Sequence, residues 1–96
     1  LTNHLPRVRS KLRIDVAEVR RVNPGIIYAI GSGFGSHGPS RNRPAYDSTA
    51  FWARGGSAEG ATPSPADRPT YMPSGAYGDN LGGLAIAAGV AAALYG

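Results

Sequence analysis

The chain has no cysteine, which excludes disulfides, zinc–thiolate sites and thiol catalysis. Histidine is scarce, and the two present are too few to define a metal site by themselves. Lysine occurs once, so the net charge of +4 rests almost entirely on arginine. The planar arginine fork suits phosphates and carboxylates, and it is equally common on solvated surfaces. The basic residues have no interleaved aromatics and form no recognised nucleic-acid motif, which argues against a nucleic-acid partner. Long hydrophobic runs are missing as well. The longest, Leu81 to Tyr95, falls short of the ~20 residues a membrane span needs and reads as a buried helix. Nothing in the residues implies a metal, a flavin, a nicotinamide or any other permanently bound cofactor.

Glycine (14) and proline (8) are plentiful for 96 residues. Much of the apolar content is alanine, which buries little area, so a core built from this chain alone is expected to be thin. The chain opens at Leu1-Thr2-Asn3 without an initiator methionine and closes at Leu94-Tyr95-Gly96 inside an apparent helix. The expectation is a piece of a longer protein.

Local patterns give an order of elements. Leu1 to Asn3 reads as the tail of a strand, and Pro6 then enforces a turn. Arg7 to Arg13 is a basic connection with room for one helical turn. Asp15, with Glu18 three residues on, forms a capping box for a short helix over Val16 to Val22. Asn23-Pro24-Gly25 stops that helix. Ile26 to Ile30 is a continuous apolar run, expected as a strand buried on both faces of a parallel sheet. Strand, helix and strand in that order describe a βαβ crossover, and therefore an α/β fold. The loop Gly31 to Gly38 follows. It is not a dinucleotide fingerprint, because Pro39, Arg41 and Pro44 prevent a helix from starting in the required register. Its glycines read either as a flexible crossover or as backbone N–H donors for an anion. Tyr46 to Arg54 reads as a helix with Phe51 and Trp52 partly buried, ended by Gly55-Gly56. Residues 57–74 hold four prolines and read as irregular. A last helix begins near Asn80, slim because of Gly82, Gly83 and Gly89, a profile suited to close packing.

Asp79 stands at the head of that last helix, after Gly75-Ala76-Tyr77-Gly78. Local sequence alone favours a plain N-cap that accepts a backbone N–H. The small neighbours also let a ligand approach, where a carboxylate can act as a nucleophile.

Five segments, in order, resemble the family III CoA-transferases, a group that includes the acyl-CoA racemases. They are Asn3-His4-Leu5-Pro6; Ile14-Asp15 through Asn23-Pro24 to Tyr28; Ser32 to Pro39; Arg43-Pro44-Ala45-Tyr46-Asp47; and Gly78-Asp79 before the alanine-rich helix. The resemblance implies part of a Rossmann-like parallel-sheet domain: strand–helix–strand, glycine loop, then two further helices. Residues 1–96 would be an incomplete portion of the large domain. It further implies transfer of coenzyme A between an acyl-CoA thioester and a carboxylic acid through a covalent intermediate on Asp79. Lys11 would contact CoA phosphate, Leu12 would pack on adenine, Asn3 would lie beside CoA, and Tyr46 would line the thioester pocket. Ordinary alternatives stand for each: surface charge for Lys11, core for Leu12 and Tyr46, a turn cap for Asn3. The helix N-terminus at Asn80, and N–H groups of Gly33, Gly35 and Gly38, would favour negative charge in the transition states. The family also implies an interlocked homodimer and cytoplasmic CoA chemistry.

Three residues depart from the family pattern. His4 stands where relatives often carry Phe, Arg7 replaces a glycine, and Arg13 replaces another. Racemases place a His just before the Asp at position 47. Here that residue is Tyr46, a phenol poorly suited to the base role, so transfer is expected over racemisation. The remaining alternative is a CoA-binding portion that does no chemistry by itself.

Overall fold

Proline has no N–H to donate, so it suits the first helical position, and Pro6 starts helix α1 (Pro6–Leu12) in the computed structural model, which describes residues 1–96. The basic connection is thus two helical turns instead of one. It ends at Arg13 with φ 54° and ψ 43°, the left-handed conformation usually left to glycine. A side chain with a Cβ is strained there by about 1 kcal/mol. Arg13→Gly is therefore expected to raise the stability of the full-length protein by about 0.5–1 kcal/mol. Urea unfolding checks this, and a loss of stability would show that the arginine side chain is needed in place.

Helix α2 spans Val16–Val22, as its capping box dictates. The Asp15 N–H donates to Glu18 Oε2 at 3.3 Å. Asp15 also receives Arg9 Nε at 2.8 Å, while Arg9 Nη1 donates to the His4 carbonyl at 2.8 Å. One half-buried arginine therefore ties α1 to α2 and to the N-terminal segment. The Tyr28 hydroxyl adds a second tie by donating to the Ile14 carbonyl.

The expected parallel sheet is absent. Thr2 and Ile30 form one isolated parallel bridge, through Thr2 N–H to the Ala29 carbonyl at 3.0 Å and Gly31 N–H to the Thr2 carbonyl at 2.9 Å. The N-terminal segment turns into α1 after that contact, and no other segment forms a β-bridge with Ile26–Ile30. A strand buried on both faces needs neighbours at its edges and helices above and below. Here the run is extended and partly exposed, and the chain is helical with no sheet, not a Rossmann-like fragment.

The second half is helical as well. Ser48–Arg54 forms a π-helix, a wide-turn geometry that concentrates at functional sites. Within the segment expected to be irregular, a short helix α3 (Ser57–Ala61) packs on it. The last helix, α4, runs Tyr77–Tyr95, three residues longer at its start than the sequence indicated. The buried residues are Trp52 on the π-helix, Ala58 on α3, and Gly78 of α4, which faces Phe51 of the π-helix. The radius of gyration is 16.5 Å, against ~13 Å for a compact chain of this length. Leu81, Leu84, Leu94 and Tyr95 are exposed on α4. An added Cβ at Gly82, Gly83 or Gly89 would touch nothing within 4 Å, so the close packing expected of those glycines does not occur within this chain. No helix is long and apolar enough to cross a membrane.

Candidate active site

The first turn of any helix leaves N–H groups without partners inside the helix. At α4 the preceding residue is Ala76, left-handed at φ 60°, with no side chain to accept them. The acceptor comes from 31 residues upstream. Asp47 takes the Gly78 N–H on both carboxylate oxygens, at 3.0 and 2.9 Å, and the Asp79 N–H on Oδ2 at 3.3 Å. Bonds to an ionised acceptor are roughly twice as strong as neutral ones. Asn80 N–H bonds to the Ala76 carbonyl at 3.0 Å, as an ordinary helical bond.

Gly78 makes this approach feasible. A Cβ there would lie 2.2 Å from Phe51 Cγ and 2.5 Å from Asp47 Oδ1. On the far side, Tyr77 stands against Phe51 and edge-on to Trp52, with ring centroids 6.1 Å apart in both pairs. The Trp52 indole N–H donates to the Thr70 carbonyl at 3.0 Å, which pulls the proline-rich segment onto the π-helix. Aromatic packing and a carboxylate fork together fix the start of α4.

Asp79 itself is not the cap. It occupies the third position of the helix, exposed, and its carboxylate accepts no hydrogen bond and pairs with no cation. Asp47 therefore already occupies two of the donors expected from the helix N-terminus, the N–H groups of Gly78 and Asp79.

The other residues singled out by sequence fall into three groups. Tyr46 adjoins Asp47 and is 81% exposed as a residue, and its N–H donates to Thr49 Oγ1 at 3.0 Å. The glycine loop packs against the same segment: a Cβ on Gly33 would lie 2.3 Å from the Ala45 Cβ. Gly35 donates its N–H to Ser32 Oγ at 3.1 Å, whereas Gly33 and Gly38 line a hollow of about 330 Å³ with Phe34, His37 and Arg54. A larger cleft, about 970 Å³, lies between Trp52, α3 and the proline-rich segment. Asp79 lines neither. Asn3 lies beside Gly31, which also neighbours Ile86 of α4, a residue about 10 Å along the helix axis from Asp79. Lys11 and Leu12 are exposed on α1, and no hydrogen bond or ion pair links that helix to the Asp79 turn. The structure thus joins Tyr46, Asp47, Gly33 and Asp79 through one scaffold and leaves Lys11 and Leu12 apart from it.

Sequence reasoning missed Asp47. By position it reads as the cap of its own helix, yet it makes no side-chain cap there. The signal available was a shortage: a helix starting at Tyr77 has no Ser, Thr, Asp or Asn before it, so its N–H groups require a distant acceptor.

The family model for CoA-transferase family III matches residues 1–96, and the chain belongs to that family. It is 34% identical over 95 residues to (R)-2-hydroxy-4-methylpentanoate CoA-transferase of Clostridioides difficile. It is also 34% identical over 95 residues to cinnamoyl-CoA:phenyllactate CoA-transferase of Clostridium sporogenes. Each of these alignments covers 99% of this chain. Identity to acetyl-CoA:oxalate CoA-transferase of Acetobacter aceti is 39% over 93 residues, 97% of this chain. The chain spans 23% of the length of each of these curated relatives. No solved structure matches it.

Proposed function

We propose that the full-length protein containing this chain transfers coenzyme A from an acyl-CoA thioester to a carboxylic acid, with Asp79 as the covalent relay. The observation that carries this reading is an exposed, unpaired carboxylate on a helical turn whose backbone is held by another residue. A carboxylate serving as an N-cap would be committed to N–H groups, and this one is not.

In this reading an Asp79 oxygen attacks the thioester carbon, the C–S bond breaks, and CoA thiolate leaves a mixed anhydride behind. The thiolate attacks the Asp79 carbonyl and releases the donor as its carboxylate. The aspartyl thioester is then attacked by the acceptor carboxylate, which forms a second anhydride and frees the thiolate again. Thiolate attack on the acceptor carbonyl completes the new acyl-CoA and returns Asp79 as a carboxylate. Each step exchanges one acyl bond for another, so no oxidant or net proton is consumed. Asn3, Lys11, Leu12 and Tyr46 would hold CoA, and the protein would work as a homodimer in the cytoplasm, with residues 1–96 forming part of its large domain. The three relatives are named as CoA-transferases, which supports transfer over the racemase alternative.

Trapping tests the relay. Full-length protein mixed with acyl-CoA and then hydroxylamine is expected to carry a hydroxamate on Asp79, located by mass spectrometry. An unmodified Asp79 under turnover rejects the covalent route. Deuterium exchange at the α-carbon of the acyl-CoA without transfer to a second acid would favour racemisation. The acids in the relatives' names differ, so a panel of donors and acceptors identifies the pair.

A further inference from the structure

We infer that Asp47 is a positioning residue for the transfer reaction, one that aims Asp79 by holding the backbone beneath it. The inference rests on Asp79 being the nucleophile. Three observations converge on it. The Asp47 carboxylate receives two consecutive N–H groups, those of Gly78 and of Asp79 itself, within 3.3 Å. No other side chain caps α4, because Ala76 precedes it. The position facing Asp47 is a glycine whose missing side chain leaves no slack: any Cβ would overlap Asp47 and Phe51. The backbone bearing Asp79 is therefore held at its own amide nitrogen, three bonds from its carboxyl carbon.

This arrangement separates two duties that one aspartate often combines. A nucleophilic carboxylate at the head of a helix tends to fold back and accept its own helix's N–H groups, which withdraws electron density from the attacking oxygen and turns it away from the substrate. Asp47 occupies those donors first. Its negative charge also sits at the end of the helix dipole, where the positive end would otherwise attract the Asp79 carboxylate inward. Asp79 is then left pointing outward and unpaired, as observed. Asp47 touches neither thioester nor CoA in this scheme. It acts only through Gly78 and Asp79.

The test uses full-length protein in three forms: parent, Asp47→Asn and Asp47→Ala. Asparagine keeps the shape and, with its one oxygen in the Oδ2 place, can still face both N–H groups, but it loses the Oδ1 contact and the charge that strengthens the other two. Alanine loses all three contacts. The rate of Asp79 acylation in a single turnover, per trappable site, is expected to fall about 10- to 100-fold for asparagine and further for alanine, since small misplacements of a reacting group cost that much. The KM for acyl-CoA should stay unchanged. Hydrogen exchange, read by mass spectrometry on the peptide covering residues 76–81, should speed up in both variants, while peptides from the end of α4 keep their protection. A purely structural role would instead loosen the whole helix and lower the number of active sites without changing the rate per site. Parent protein that gives an Asp79 adduct, with variants acylated within about twofold of its rate, overturns the positioning role and leaves the nucleophile standing. Parent protein that gives no Asp79 adduct removes the nucleophile, and the inference with it.

Discussion

Asp79→Asn in the full-length protein is expected to lower CoA transfer by roughly 10⁴-fold or more, the scale seen when a covalent nucleophile is removed. The amide has the same shape as the carboxylate and lacks the anion that the proposed relay requires. Asp79's backbone N–H still reaches Asp47, so the helix start and acyl-CoA binding should survive. The rival explanation is loss of a helix-stabilising charge at the third position of α4. That is worth at most about 1 kcal/mol, roughly a factor of five in any equilibrium, whereas a 10⁴-fold loss corresponds to about 5 kcal/mol. Helix loosening therefore cannot imitate the expected result. Steady-state kinetics with a donor and an acceptor acid, alongside circular dichroism of the folded variant, make the measurement. Asp79→Ala serves as the companion, because slow hydrolysis of an asparagine amide regenerates aspartate and alanine cannot revert. Transfer within about tenfold of the parent in both variants would remove Asp79 from the chemistry.

Gly78→Ala is the second large effect, and its sign is opposite to the usual rule for helices. Alanine is preferred to glycine inside a helix by about 1 kcal/mol. At Gly78 the new methyl would sit 2.2 Å from Phe51 Cγ and 2.5 Å from Asp47 Oδ1, so both must retreat. Overpacking costs about 1–3 kcal/mol and a displaced cap about 1–2, which together exceed the propensity gain. The net expectation is a destabilisation of about 1–4 kcal/mol, with Asp79 acylation reduced about 100-fold by the shift of its backbone. Gly82→Ala, one turn further along, meets nothing within 4 Å and should stabilise the same helix by about 0.5–1 kcal/mol. Thermal unfolding of the two variants side by side decides the matter. If both substitutions stabilise, the contact between Asp47, Phe51 and Gly78 is not as tight as drawn.

What could be read from the sequence was whatever the chain decides locally. Asp15 and Glu18 lie three residues apart, so the capping box marked the start of α2, and Asn23-Pro24-Gly25 marked its end. Gly55-Gly56 after an aromatic pair marked the end of the helix carrying Phe51 and Trp52. The family was legible because its motifs keep their order along the chain. The sheet was misread because an apolar run such as Ile26 to Ile30 states only that it is apolar, and whether a ladder forms depends on distant segments lying beside it. Here only Thr2 does. The start of α4 was misplaced for a related reason. Asp79 looked like a sufficient cap, which hid the need for one at Tyr77 and, with it, the role of Asp47. The wide turn of Ser48–Arg54 was equally invisible, since seven residues cannot separate a π-helix from an α-helix by pattern.

The bond from Asp47 to Gly78 also closes the intervening stretch into a ring with both ends pinned. That ring contains every residue that lines the larger cleft, from Ser48 to Met72. Lengthening such a ring is cheap, at about 0.6 kcal/mol for each doubling. A lineage can therefore rebuild the wall by insertion or deletion without disturbing the anchor points at Asp47 and Gly78.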